Sequence, residues 1–477
     1  MHILLECPQC GGEITFDEEL EVVRCPFCAS AHQIFGKTGQ PRFMLRPRWN
    51  RPELTRNLSR LLQDRKSLRG GSGPVRILYA PYWRTRGMVY HWVLGKRESL
   101  SPVDGRREWD DAKELQTKVF DLSFPAWSRP SLGLDSLGVR PTALPLRLFH
   151  PSRLSENELV LPAEVSLQEA IRYSSSFLTF GFADSSLTAE LEDTQLIGET
   201  YALVYFPFWL LEVREGGKSG LLVADAVANR VTKVLWDEDL SGFPPAGERS
   251  EEFATLRLMP TRCPVCAWDF QPSPHSKVHV CLICARAWAE YQGSYREVPY
   301  QLADLPAAWK LPVWYLPFWN LETKIRSAEG LLRTQQDLRK LAPNLPSGLD
   351  ESRMADPIRF LIPAFKINSM PALLKLASLF SLRPPEANLR AGENLENQRF
   401  EGVYLAGTEA IEAARVVLLS LLPRYNRSAR LLLKEARLEA SPPRLTYYPF
   451  QRKGLHLREV NSDHSIQHGT VPLTSAD

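Results

Sequence analysis

The chain has 477 residues, 44% hydrophobic and 24% charged, with a formal net charge of +3. That balance belongs to a folded globular protein and excludes a largely disordered one, and at roughly 100 to 200 residues per domain the length implies three or four packed units. The 37 prolines favour many short elements joined by stiff turns over a few long helices.

The first metal-type cysteine stands at position 7, which leaves no room for a charged and apolar secretory leader. The longest apolar stretches, Tyr201 to Leu211 and Val416 to Leu422, fall short of the roughly 18 to 20 residues that span a bilayer. All eight cysteines lie in four Cys-x-x-Cys pairs. Without a leader, that usage points to metal rather than disulfides and to a cytoplasmic location.

Residues 1–36 read as a first zinc ribbon. Cys7-Pro8-Gln9-Cys10 and Cys25-Pro26-Phe27-Cys28 are separated by 14 residues, and each follows an apolar, strand-like run. A Cys-x-x-Cys turn at a strand end aims two thiolates at one ion, and two such knuckles close a four-sulfur tetrahedron. Gly11 and Gly12 follow the first pair, where the turn requires a positive φ. The pattern recurs in residues 251–298: Cys263-Pro264-Val265-Cys266, 14 residues, then Cys281-Leu282-Ile283-Cys284. Zinc competes here with a rubredoxin-like iron site and with free thiols. Iron sites of that type carry glycine after both pairs, whereas Ala29, Ala267 and Ala285 fill three of the four places. His275 and His279 lie between the second pairs and read as solvent-facing hairpin residues, with exchange for a sulfur ligand as the other reading.

Residues 37–70 read as a basic linker and amphipathic helix. Ten basic and two acidic residues give this segment a charge of +8, so the rest of the chain is about −5. Asn50, Pro52 and Glu53 predict a capped helix start, with Leu54, Leu58, Leu61, Leu62 and Leu68 largely on one face. Arg46, Arg48, Arg51, Arg56, Arg60, Arg65, Lys66 and Arg69 form the candidate surface for an anionic partner: a phosphate backbone, an anionic membrane surface or an acidic protein. A merely solvated basic face is the competing reading.

Two bodies follow, at 71–250 and 299–460, with a disordered tail at 461–477. A Tyr-x-Pro-aromatic-Trp signature recurs at Tyr79–Trp83, Tyr205–Trp209 and Tyr315–Trp319, and in degenerate form at Tyr447–Gln451. Its prolines are spaced by 126, 110 and 132 residues and the ribbons by 256, so the spacing predicts a tandem duplication of about 240 residues. The signature reads as a buried strand, with its proline at an edge, a bulge or the strand's start. An aromatic binding groove is its functional reading, and core packing the alternative. Gly216-Gly217 predicts a hairpin turn. Helices are predicted at 167–177, 370–380, 408–422 and 428–439, and Leu161-Pro162-Ala163 is matched to Ile362-Pro363-Ala364 as a third correspondence. The expected fold class is α+β, two four-cysteine zinc ribbons each attached to a mixed α/β body.

The segment from Cys7-Pro8-Gln9-Cys10-Gly11-Gly12 to Cys25-Pro26-Phe27-Cys28 resembles the zinc-ribbon family over about 30 residues in each copy. Together with the Tyr-x-Pro-aromatic-Trp strands, it resembles a loose class of uncharacterised bacterial zinc-ribbon proteins, some tied to membrane-stress or scaffold systems. The resemblance implies two zinc ions and is nearly silent as to biological process. No phosphate-cradling loop, His-Glu-x-x-His or Gly-x-Ser-x-Gly occurs, so the usual motifs give no support for catalysis. The expectation is a non-enzymatic adaptor or scaffold with a protein partner. A nucleic-acid-binding protein using residues 37–70 and the ribbons is the alternative, and an enzyme with a cleft built from distant residues a third reading. Peripheral membrane contact stays open.

Overall fold

Among the described residues strands take up 46% and helices 18%, so the fold is mostly β with several sheets. This overturns the expected α+β class with mixed α/β bodies. The cause lies in three strands of 25, 19 and 29 residues, at 76–100, 107–125 and 187–215. They are rich in charged residues along part of their length. Arg107–Pro125, for example, begins Arg-Glu-Trp-Asp-Asp and leaves only Phe120 buried, so it lacks the alternation that marks a half-buried strand. The computed structural model describes residues 2–62, 69–70, 74–100, 107–128, 131–138, 145–155, 158–179, 187–243, 256–271, 273–307, 309–327, 329–341, 353–393, 395, 398–424 and 427–473.

Two compact units emerge, and they are not the contiguous bodies expected: unit 1 is 1–86, 120–178 and 199–260, and unit 2 is 87–119, 179–198 and 261–477. Unit 1 begins with the hairpins β1 (His2–Glu6) with β2 (Glu13–Asp17) and β3 (Val22–Arg24) with β4 (Ala31–Phe35). There follow β5 (Arg42–Met44), α1 (Arg51–Arg56), α2 (Leu58–Leu61), β6 (Arg69–Gly70), β7 (Arg76–Leu100), β8 (Arg107–Pro125), β9 (Leu146–Leu148), β10 (Glu158–Val160), α3 (Leu167–Thr179), β11 (Leu187–Glu215), β12 (Lys218–Asp225), β13 (Arg230–Trp236) and β14 (Arg257–Pro260). The main sheet runs β10-β7-β11-β5-β9-β1-β2, with β8 on β7 and β12 and β13 continuing from β11. The outer parts of β7, β8 and β11 fall in unit 2.

Unit 2 adds β15 (Val278–Val280), β16 (Ala287–Tyr291), β17 (Ser294–Glu297), β18 (Tyr300–Ala303), β19 (Trp314–Ser327), β20 (Gly330–Leu332), α4 (Gln335–Leu341), β21 (Arg359–Pro363), α5 (Met370–Leu382), β22 (Leu389–Arg390), β23 (Arg399–Phe400), α6 (Gly407–Leu421), α7 (Arg427–Lys434), β24 (Arg437–Ala440), β25 (Arg444–Lys453), β26 (His456–Glu459) and β27 (Ser465–Gln467). β15, β16 and β17 form a separate small sheet, and the larger one runs β20-β19-β25-β18-β22.

Each aromatic signature lies inside a long strand rather than at its start, and each proline sits where the neighbouring strand changes. In β11 the parallel partner β5 covers Leu203–Tyr205 and the antiparallel partner β12 begins at Phe208. In β19, β23 lies parallel at Trp314–Tyr315 and β21 antiparallel from Phe318. In β25, β18 lies parallel at 445–447 and β26 antiparallel from Phe450. In β7, β10 lies parallel at Ile77–Tyr79. A ladder interrupted at that point asks no N–H of the residue there, which is what proline supplies. The four proline carbonyls still accept, from the amides of Ala126 (Pro81), Ala226 (Pro207), Ala364 (Pro317) and Val460 (Pro449), at 2.9 to 3.1 Å.

The aromatic side chains are core, not a groove. Trp83, Trp209 and Trp319 are 3 to 4% exposed, and Phe318 stacks on Phe380 at 4.3 Å while meeting Tyr448 edge-on. The indole N–H groups of Trp83 and Trp319 each donate to a chain entering a helix, at Val165 O and Leu405 O. Ala126 O accepts from Glu164 and Val165 just as Ala364 O accepts from Tyr404 and Leu405. The segment 161–169 entering α3 thus makes the same kinds of contact as 401–409 entering α6, at places other than the matched Leu161-Pro162-Ala163 and Ile362-Pro363-Ala364. Both helices begin with a glutamate capping the backbone, Glu169 at Ser166 and Glu409 at Ala406.

The remaining expectations divide. Asn50 and Glu53 form the predicted capping box, but the helix breaks at Asn57 into α1 and α2, burying Leu54 and Leu61. Leu68 lies outside the described residues. Glu215 pairs with Lys218 across Gly216-Gly217, both glycines at positive φ, as the two-residue hairpin requires. The segment expected to be a disordered tail is folded through residue 473: β27 pairs with β26, and Ile466 and Val471 are buried. The strand is only three residues long, too short for its period to be read.

Candidate metal centres

The eight cysteines converge into two quartets, Cys7/Cys10/Cys25/Cys28 and Cys263/Cys266/Cys281/Cys284, each with all sulfur atoms within 4.8 Å of one another. In the first, Cys7 to Cys28 is 3.8 Å and Cys10 to Cys25 is 3.7 Å. In the second, Cys263 to Cys284 is 3.5 Å and Cys266 to Cys281 is 3.4 Å. A tetrahedron with metal–sulfur bonds of about 2.3 Å has edges of about 3.8 Å, while a disulfide needs about 2.05 Å. The donor set fits a four-coordinate thiophilic ion, and all eight thiols are free.

Local backbone geometry explains the convergence. The amides of Gly11, Ala29 and Ala267 donate back to the carbonyls of Cys7, Cys25 and Cys263 at 2.9 to 3.0 Å. All four residues that follow a knuckle are left-handed: Gly11 (φ 74°), Ala29 (59°), Ala267 (58°) and Ala285 (54°). The alanines that argued against an iron site thus occupy the glycine conformation and accept its cost.

Electrostatics inside each quartet also call for a cation. Burial pushes the Cys7 thiol up, but the amides of Gln9 and Cys10 outweigh it and bring the pKa down to about 7. The Ser30 hydroxyl and amide bring Cys28 to about 6. Cys10 is pushed up to about 12 despite the Gly12 amide, by burial and by the sulfurs beside it. In the second quartet Cys263 falls to about 7, its neighbouring amides outweighing burial, while burial and the adjacent sulfurs push Cys284 up to about 12. Four thiolates cannot crowd together unaided, and a divalent ion removes the conflict.

The surroundings differ between the two. Cys7 and Cys25 join the apolar core of unit 1, and His32, which the sequence reading passed over, reaches the cage as a polar support. Its signal was its place four residues after Cys28, beside Ser30. The second quartet packs on Phe270, Trp288 and Tyr295. His279 does not face solvent as expected: it is 4% exposed, paired in register with Trp288 and stacked on Phe270 at 5.3 Å. Burial alone lowers its pKa to about 4. His275 stacks on Tyr404. Neither belongs to the sulfur cluster.

The knuckles point apolar groups outward. Phe27, Val265 and Ile283, each between the cysteines of a pair, are 69%, 54% and 52% exposed, and Trp268 beside the third knuckle is 60% exposed. The candidate cationic residues scatter along one segment: Arg46 and Arg48 follow β5, Arg51 and Arg56 lie on α1, and Arg60 on α2, all exposed. Arg51 donates to Val75 O at 3.0 Å. Arg69 lies in β6, opposite Arg214 of β11. Arg65 and Lys66 lie outside the described residues. No helix among the described residues is long and apolar enough to cross a membrane.

Comparison with family models, with curated proteins and with solved structures returns no match to this chain. The resemblance to zinc-ribbon proteins therefore rests on the two cysteine quartets, and no relative supports the narrower bacterial class.

Proposed function

We propose that the chain is a non-enzymatic adaptor in which two zinc ions, one per quartet, hold ribbon tips rigid for a protein partner. A four-sulfur cage offers no open coordination position, so the ion stabilises and performs no hydrolytic or Lewis-acid step. The observation that carries the reading is the exposure of Phe27, Val265 and Ile283 on the knuckles themselves and of Trp268 beside one of them. Apolar and aromatic groups held rigidly at the surface bind with little ordering cost. A cytoplasmic setting and the duplication of ribbon and body belong to this reading.

The test combines metal analysis with a surface variant. Native protein contains two zinc ions per chain, and V265S/W268S/I283S retains both together with the melting temperature while losing a crosslinked partner identified by peptide mapping at the second ribbon. Retained crosslinks at that tip in the triple variant, or purified chains without metal, would sink the reading.

A second reading is favoured by one observation: Arg46, Arg48, Arg51, Arg56 and Arg60 are exposed, and none has a carboxylate partner among the described residues. Such a set suits a nucleic-acid backbone. Binding to arbitrary RNA or DNA would then weaken steeply with salt, with a log–log slope that drops by about one for each arginine neutralised.

A further inference from the structure

Unit 2 contains a cleft of about 470 Å³ at the start of β21, the end of α5 and the turn after β26. Four arginines line it: Arg339 in α4, Arg353, Arg359 opening β21 and Arg383 just past α5. Arg353 is paired with Asp356 at 3.3 Å. The lining Asp463 is paired with Arg458, which lies outside the cleft. Among the described residues, Arg339, Arg359 and Arg383 have no carboxylate within ion-pair distance, and Glu386 is the one unpaired acid of the wall. His464 adds no charge at neutral pH, because its imidazole is 5% exposed and burial holds its pKa below the usual histidine range. Its Nε2–H donates to Arg383 O at 2.5 Å, which ties the chain after α5 to the turn after β26.

Three arginines and one glutamate without an ion-pair partner among the described residues therefore line one concave volume, an excess of two positive charges. Like charges gathered in a cleft repel and focus a field that an anion relieves. The planar guanidinium fork matches phosphate oxygens two at a time, and a phosphate monoester carries close to two negative charges at pH 7. The volume lies within the roughly 300 to 1,000 Å³ of small-molecule sites, well beyond what a lone phosphate fills. Leu382, Pro384 and Pro385 give it an apolar wall, and Gln335 and Ser462 supply neutral polar groups.

We propose that this cleft binds a small phosphate ester, with the phosphate on Arg339, Arg359 and Arg383 and the organic part against the Leu382–Pro385 wall. The site is independent of the ribbons and of the adaptor reading.

Calorimetric titration of the full zinc-loaded chain with AMP, glucose 6-phosphate, inorganic phosphate and sulfate tests it. At least one ester binds saturably at one per chain and more tightly than sulfate. R359Q/R383Q raises its Kd at least tenfold, and R296Q, in β17 away from the cleft, leaves it unchanged. Absence of saturable binding by both esters, equal binding of sulfate, or wild-type affinity in the double variant would overturn the proposal. Should the double variant fail to fold, phenylglyoxal mapping on the wild-type chain decides: the ester protects Arg339, Arg359 and Arg383 from modification, and unchanged modification rejects the site.

Discussion

The Nε2 of His32 lies 3.5 Å from the Sγ of Cys7 and 2.7 Å from the Oγ of Ser30, whose hydroxyl is 2.9 Å from the Sγ of Cys28. With metal-bound thiolates as acceptors, the serine O–H is placed to donate to one sulfur, and the Nε2–H tautomer of His32 to the serine oxygen and a second sulfur. At the ribbon spacing of 256 residues, the second quartet has Arg286 and Trp288 in the places of Ser30 and His32. Outer groups of this kind are worth about 10- to 100-fold in metal affinity. H32A or S30A should therefore weaken the first site by that factor and spare the second. Chelator competition followed by native mass spectrometry would show one ion leaving early, and loss of both ions together would contradict the assignment.

The left-handed alanines make an opposite kind of prediction. An alanine held near φ +55° costs roughly 1 to 2 kcal/mol, and glycine removes that strain while losing about 0.5 to 1 kcal/mol through its freer unfolded chain. A29G, A267G and A285G should each raise stability by about 0.5 kcal/mol, and the triple variant by more than 1 kcal/mol. Thermal melts at fixed zinc would check this. Three destabilised single variants would mean that the alanine methyl groups carry packing that outweighs the strain.

Arg84 is 1% exposed and joins Asp121 through two bonds of 2.7 and 2.6 Å while also reaching Glu18 at 2.9 Å; Arg86 binds Glu18 at 2.8 Å. The ribbon loop carrying Glu18 is thereby fastened to β7 and β8. Burial pushes the Glu18 carboxyl up, but the two arginines outweigh it and hold the pKa below the usual range. A depressed carboxylate stabilises the fold fully above its unfolded pKa, about 4.3, and ceases to do so as pH falls through the lower folded value. R84M should cost about 3 kcal/mol, because it strands the half-buried Asp121 and leaves Glu18 with Arg86 alone. Denaturant melts from pH 7 down to pH 3 should show the wild type losing stability below about pH 4.3 and R84M losing less over that interval. Parallel curves would rule out the ion cluster as the cause.

What could be read from sequence was what repeats at short range. Cysteine pairs fix a chemistry by spacing alone, so both quartets were legible. So were the Asn50 cap, the Gly216-Gly217 turn and the sites of α3, α5 and α6, each a local signal. The fold class was not. Strands of 19 to 29 residues with charged outer parts carry no alternation, and β11 takes one partner from more than 100 residues away, with Leu203 opposite Arg42. The reason for the signature's proline was equally hidden, since it depends on which strand stops and which begins beside it. His32 was missed because a supporting group is set by folded distance to sulfur, not by ligand spacing.

The end of α6 supplies the last prediction. Lys113, on β8, extends its Nζ to three backbone oxygens, those of Leu419 (2.8 Å), Ser420 (2.6 Å) and Leu422 (3.0 Å), and passes over the Trp92 ring at 4.8 Å. The Trp92 indole N–H itself donates to Val416 O at 3.2 Å. A helix leaves its last carbonyls unpaired and concentrates partial negative charge there, so one ammonium group satisfies three acceptors and meets the dipole. Asp193 binds Arg415 of the same helix, so strands β8 and β11 grip α6 at more than one level. K113M keeps the aliphatic stem and removes only the charged donor. Stability should fall by about 1 to 2 kcal/mol, with faster amide exchange confined to the last turn of α6 and the 107–119 segment, measured by hydrogen–deuterium exchange. Uniform acceleration across the chain would show that the lysine acts through global stability rather than as a cap, and unchanged exchange that the three carbonyls find water instead.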